Sequence, residues 1–227
     1  MKKRILAILS ILIIAMLTFA SCNVVKDKTY DATSSDYFNF VERDDGTYAI
    51  SLKDGAELPA KVYLPVNYNG VDVTAVADAG FKSNSKITEL TIPVGYEVIG
   101  EDAFAYCENL KTVKIATLGT GVERRLVVKY GAFRGCSNII DLKVGSSVKV
   151  IEGYAFYETK ISSISLTKVE KLDVCAFGLC TSLKNVFIPA TLTDIHERAF
   201  ENSNLVTFAV ADGNAVYKAV DGKLERK

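Results

Sequence analysis

The sequence predicts an α/β solenoid: a right-handed coil of six repeats, each made of short parallel strands and a short helical turn, with a β-hairpin capping its N-terminal end. Three observations carry this. Six Phe residues each follow a small residue, in Gly80-Phe81, Ala103-Phe104, Ala132-Phe133, Ala155-Phe156, Ala176-Phe177 and Ala199-Phe200, at intervals of 23, 29, 23, 21 and 23 residues. Five residues before each Phe stands an aliphatic residue: Val76, Ile99, Val128, Ile151, Leu172 or Ile195. After each Phe comes an alternating apolar run such as Leu110-x-x-Val113-x-Ile115 or Leu183-x-x-Val186-x-Ile188. A period of this length belongs to units that cannot bury their own apolar faces and must stack on their neighbours.

Taken in chain order, Lys2-Lys3-Arg4 followed by the apolar run 5–20 reads as a signal peptide over residues 1–21. The run has 16 residues, short of the roughly 20 that span a bilayer. An uncleaved N-terminal anchor is the alternative. Removing the three cations leaves 24 basic residues against 27 acidic ones, a net of −3, which carries no electrostatic footprint for nucleic acid. Residues 22–36 are polar, lack an apolar period and read as a flexible tether. Residues 37–72 form the N-terminal β cap, with Asp44-Asp45-Gly46 turning between the apolar runs at 37–41 and 47–52. The solenoid occupies 73–211 and an abbreviated C-terminal cap 212–227.

Within one repeat, Ile99, Ala103, Phe104 and Cys107 fall on one face of a short helix, with Glu101 and Asp102 in its first turn. Eight residues before the Phe stand Val73, Tyr96, Val148, Val169 and Leu192, with Arg125 the one polar exception. Three after it stand Asn84, Cys107, Cys136, Thr159, Cys180 and Ser203, a column that wants a small, weakly polar group. The expected state is buried free thiols, with a Cys107–Cys136 disulfide as the alternative. Cys175 falls in a variable column and is expected at the surface. Pro93 and Pro189 end strands, and the 29-residue interval holds a protruding loop around residues 119–125.

No constellation for chemistry emerges. His196 is the only histidine and its column also holds Ala77, Gly100, Lys129, Glu152 and Asp173, a solvated set. Cys175 and Cys180 lack a second metal-ligating pair, and no nucleophile elbow or phosphate loop is present. The expectation is a non-enzyme without cofactor or metal. Candidate contact residues are Lys114, Lys143 and Phe187, outward on the strands, and Tyr130, Tyr154 and Tyr157, with Tyr106, on the turn side.

The repeat pattern aliphatic-x-x-x-Ala-Phe-x-x-Cys-x-x-Leu-x-x-Val-x-Ile resembles the BspA-type leucine-rich repeat family of bacterial surface proteins over roughly residues 73–211. The segments at 64–73 and 214–224 resemble the sequences that flank that family's repeats. Phe19-Ala20-Ser21-Cys22 resembles the lipobox of bacterial lipoproteins, with Phe19 where that family has Leu. These resemblances imply an exported protein, lipidated at Cys22 and held on the cell envelope. With no Asp after the Cys, the outer membrane or cell surface is implied. They also imply a monomeric, non-catalytic module whose partners are an extracellular protein or glycan: host matrix, other cells or surface glycans. The rivals are an envelope accessory for polysaccharide capture or processing, and a structural envelope protein.

Overall fold

The computed structural model describes residues 32–117, 119, 124–205 and 207–227. Residues 1–31, with Cys22, and most of the 119–125 loop lie outside the described residues.

The chain is a β-solenoid. One sheet runs along it, ordering strands Phe38–Glu42, Tyr48–Leu52, Val71–Val76, Val98–Ile99, Leu126–Val128, Val148–Ile151, Lys171–Leu172 and Asp194–Ile195. The first two pair antiparallel across the Asp44-Asp45-Gly46 turn, and every later pair on this path is parallel. A second face divides in two. Lys61–Tyr63, Glu89–Ile92, Thr112–Ile115 and Asp141–Lys143 form one parallel sheet, and Ser163–Ser165, Asn185–Ile188 and Thr207–Val210 form another. Strands Glu89–Ile92 and Asn185–Ile188 stop immediately before Pro93 and Pro189, residues without an amide to continue a ladder.

The six Phe residues close the third side as one continuous stack. Neighbouring ring centroids lie 5.0, 5.2, 5.1, 5.3 and 5.8 Å apart from Phe81 to Phe200, with planes within 13° of parallel. Phe38 meets Phe81 edge-on at one end and Phe208 meets Phe200 edge-on at the other. The small residue before each Phe follows from this approach: at Gly80 an added Cβ would already press on the Ala77 and Ile50 carbonyls at 3.0 and 3.2 Å.

The expected helical turns are absent from the described residues, and the reason lies in where the amides point. A helix donates every amide back along its own chain. Here alternate amides donate to the following coil, as Asp102 N to Tyr130 O, Phe104 N to Ala132 O and Tyr106 N to Arg134 O, at 3.0, 2.8 and 2.8 Å. The amides between them close tight turns on their own chain three residues back. This zigzag places left-handed residues two before and two after the Phe: Ala79 and Ser83, Asp102 and Tyr106, Gly131 and Gly135, Tyr154 and Glu158, Cys175 and Leu179. Intercoil bonds recompense a conformation that side chains ordinarily avoid.

Four further expectations change. Arg125 does not break the aliphatic column: the strand bulges by one, Leu126 takes the buried place opposite Val148, and Arg125 turns outward to Glu170 at 2.8 Å. Cys175 is buried, at 2% exposure, because the left-handed backbone there turns its side chain under Tyr154 and Glu201. The end of the tether segment is docked. Thr33 exchanges hydrogen bonds with Tyr63 at 2.9 and 3.0 Å, and Ser35–Tyr37 form a 3-10 turn capped by Ser34. The C-terminal segment is no stub: Tyr217–Val220 and Lys223–Arg226 pair as a hairpin, since Asp221 and Gly222 both adopt the positive φ a two-residue turn requires.

Candidate binding faces

On the strand face, outward residues form registered rows. Thr91, Lys114 and Lys143 occupy one row, and Lys61, Glu89, Thr112 and Asp141 another. Parallel strands stand about 4.8 Å apart, so Lys114 and Lys143 are adjacent like charges, a pair that favours an anionic partner. Lys61 reaches Glu89 at 2.9 Å, and that hydrogen bond holds the Glu89 carboxyl below its usual range. Phe187 lies in the other sheet, 40% exposed between Ser165 and Ala209, beside a shallow depression lined by Ile164 and Val186. The structure therefore joins Lys114 with Lys143 and places Phe187 in a separate sheet.

The turn face does bring its tyrosines together. Tyr130 and Tyr154 have centroids 5.4 Å apart and Tyr154 and Tyr157 5.1 Å, with rings tilted by about 50°. Tyr130 is exposed, while Tyr154 and Tyr157 are half-buried. Two of the three rings rest on a glycine of a neighbouring coil. A Cβ at Gly178 would come within 2.9 Å of the Tyr157 ring, and one at Gly153 within 3.3 Å of Tyr130. A hydrogen bond with Cys175 raises the Tyr154 phenol above its ordinary pKa, and burial does the same for Tyr157. Cys175 donates to Glu201 Oε2 at 3.2 Å, and Glu201 is gripped by Arg198 through two bonds of 2.9 and 2.7 Å. Burial, with the Glu201 carboxylate, pushes the Cys175 thiol up.

Tyr106 stands apart from these three, in a group the sequence did not single out. Its ring lies over Gly135, flanked by Lys82 and Arg134 at 5.9 and 5.4 Å. Both cations converge on Asp102, at 3.0 Å from Lys82 and 2.7 Å from Arg134. Burial would raise the Asp102 carboxyl, but these hydrogen bonds outweigh it and hold the group below its usual range. The signal was present in the repeat alignment. Tyr106 and Gly135 share a column, as do Tyr157 and Gly178, so a tyrosine in one coil is answered by a missing side chain in the next.

The small-polar column is structural. Cys107, Cys136, Cys180 and Ser203 each donate to the carbonyl of the Phe one coil back, at 3.2, 3.0, 3.3 and 2.6 Å. Cys107, Cys136, Cys175 and Cys180 are all free thiols, so the Cys107–Cys136 bridge is not made. Burial holds the Cys180 thiol above its ordinary pKa, and hydrogen bonding with Cys107 together with burial does the same for Cys136. His196 is exposed, its Nδ1 accepting from the Arg198 amide at 3.1 Å. Among the described residues no three His, Cys, Asp or Glu side chains gather as a metal site.

Comparison with known proteins agrees with this geometry. No curated protein matches the sequence. Three similar solved structures are a leucine-rich repeat protein of T. pallidum, a leucine rich cell surface protein of Faecalibacterium prausnitzii and a leucine-rich repeat protein of Eubacterium ventriosum. Their identities are 21%, 23% and 23%, with TM-scores of 0.59, 0.58 and 0.57. These matches cover 78%, 88% and 86% of this chain, and 85%, 59% and 47% of the respective structures, so the chain spans about half the length of the latter two. At this identity they establish the fold. The model of the BspA type leucine rich repeat region matches residues 74–125 and 123–218 in six copies, and the chain belongs to that family.

Proposed function

We propose that this is an exported lipoprotein, anchored through Cys22 to the bacterial cell envelope, whose repeats bind an extracellular protein or glycan without catalysis. The observation that carries the reading is the cluster of Tyr130, Tyr154 and Tyr157. It is an aromatic surface, two of whose rings rest on glycines, edged by the Arg198–Glu201 pair. Such a surface offers apolar area with fixed polar groups at low entropic cost, the combination that recognition sites favour. The name of the F. prausnitzii relative as a cell surface protein supports an outside location. Display on a lipid anchor would add avidity to modest individual contacts.

Two measurements test this. Labelled palmitate should enter the protein in its host and be absent from Cys22→Ser; label retained by the variant removes the lipobox reading. On a glycan and matrix-protein array, residues 23–227 should bind a ligand that the Tyr130/Tyr154/Tyr157 triple alanine variant loses by about tenfold or more. The Lys114/Lys143/Phe187 triple alanine variant serves as the comparison face. Because Tyr154 and Tyr157 are half-buried, the tyrosine variant should also melt a few degrees lower, whereas the strand-face variant should not. Full binding by both variants would exclude both faces. Binding confined to polysaccharides would favour the accessory role in polysaccharide capture.

A further inference from the structure

We propose that the C-terminal end of the solenoid is a second binding site, distinct from the tyrosine cluster, for an acidic polypeptide segment carrying an aromatic residue. The inference starts from the ladder of turn amides. In the coils before the last, the amide of the Phe and the amide two residues later donate to two carbonyls of the next coil that are themselves two residues apart. Phe177 N to Ala199 O and Leu179 N to Glu201 O, both 2.9 Å, are the final such pair. In the last coil the equivalent amides belong to Phe200 and Asn202, and neither has an acceptor among the described residues. The third amide of that set, Arg198, is met by the His196 imidazole. Two donors at this spacing fit the backbone carbonyls of a peptide that takes up the same zigzag turn, as Ala199 and Glu201 do against Phe177 and Leu179, a main-chain addition to an open edge.

The floor of the site asks for an aromatic. The N-terminal end of the Phe stack is sealed, with Phe38 and Phe81 both buried. At the C-terminal end Phe208 touches Phe200 only edge-on and both remain half-buried, leaving a cleft of about 660 Å³ floored by Ile195, Leu205 and Leu224. The rim supplies charge. Arg198 is neutralised by Glu201, while Lys223 and Arg226 make no ion pair among the described residues and face a single further acid, Glu197. A second copy adding its outer hairpin strand is disfavoured. The long sheet ends at Asp194–Ile195, where the Ile195 amide is already capped by the Tyr217 hydroxyl at 3.2 Å.

The coil around Phe156 shows what such an occupant looks like, since residues 151–159 contain Glu152, Phe156 and Glu158 and accept the turn amides of the coil before. The probe is therefore an end-blocked, fluorescein-labelled synthetic peptide of that sequence, titrated with the full chain by fluorescence polarisation. Saturable binding below about 1 mM is expected, weakened about tenfold by Lys223→Glu with Arg226→Glu in the protein. Replacing the Phe of the peptide by Ser should weaken it similarly, a comparison that needs no folded variant. The proposal is overturned by no saturable binding, or by binding indifferent to the peptide substitution. Concentration-dependent self-association that Lys223→Glu/Arg226→Glu abolishes would overturn it differently, by making a second copy the occupant.

Discussion

Phe133→Ala is expected to destabilise the solenoid by about 3–5 kcal/mol, a large fraction of the total stability of an ordinary domain. The ring is fully buried and stacked on both faces, 5.2 Å from Phe104 and 5.1 Å from Phe156. Truncation removes its burial and opens a cavity in the centre of the stack. The neighbouring coils cannot collapse into that space, because their separation is set by the hydrogen bonds Phe104 N to Ala132 O and Phe133 N to Ala155 O, both 2.8 Å. In a nearly one-dimensional array the two halves would then be coupled only weakly. Urea unfolding followed by circular dichroism and by hydrogen exchange should show a lower midpoint and a transition that no longer coincides between probes. His196→Ala, on the surface, should change stability by about 0.5 kcal/mol or less. Equal losses in the two variants would mean that the Phe column is not the core.

Asn214→Ala is the second large effect, about 3 kcal/mol, concentrated in the C-terminal hairpin. Asn214 is 1% exposed, and its side chain makes four hydrogen bonds. Nδ2 donates to the Pro189 and Leu192 carbonyls at 2.7 and 2.9 Å, and Oδ1 accepts from the Val216 and Tyr217 amides at 2.9 and 2.8 Å. Alanine leaves the Leu192 carbonyl and the Val216 and Tyr217 amides without partners, each costing about 1–3 kcal/mol where water cannot reach it, while the Pro189 carbonyl keeps the Leu192 amide at 3.3 Å. Hydrogen exchange should quicken first in Tyr217–Val220 and Lys223–Arg226, while the coils around Phe104 and Phe133 keep their protection. Asn214→Asp separates the two halves of the role: it keeps the acceptor for the amides but turns a charge toward two carbonyls, so it should rescue little. Uniform acceleration across all coils would show that the hairpin is not an independent cap.

Much of the architecture was legible because a repeat samples the same environment six times. A column that is aliphatic in every repeat must be inward, and the buried states of Val76, Ile99, Val128, Ile151 and Leu172 follow that logic. The small-polar column was legible for the same reason, its thiols buried, its Ser203 hydroxyl satisfied by a carbonyl one coil away and its Thr159 hydroxyl by the Cys180 thiol. Lys114, Lys143 and Tyr130 are exposed and Tyr154 and Tyr157 half-buried, but which of them meet depends on registers that a single line of sequence does not contain.

The sequence by itself determined the solenoid, its period, its inward columns and the thiol ladder, because burial repeats with the chain and leaves its mark on composition. Tertiary structure alone decided the rest. The helical spacing of Ile99, Ala103, Phe104 and Cys107 is equally the spacing of a zigzag turn. The choice fell to the amides, which find carbonyls in the adjacent coil and so adopt left-handed conformations that a lone segment would avoid. Leu126 in place of Arg125, buried Cys175 and the glycine shelves under the tyrosines have the same origin. Each is fixed by contact between coils some twenty to thirty residues apart, where the gain of burial or of an intercoil bond outweighs the local preference.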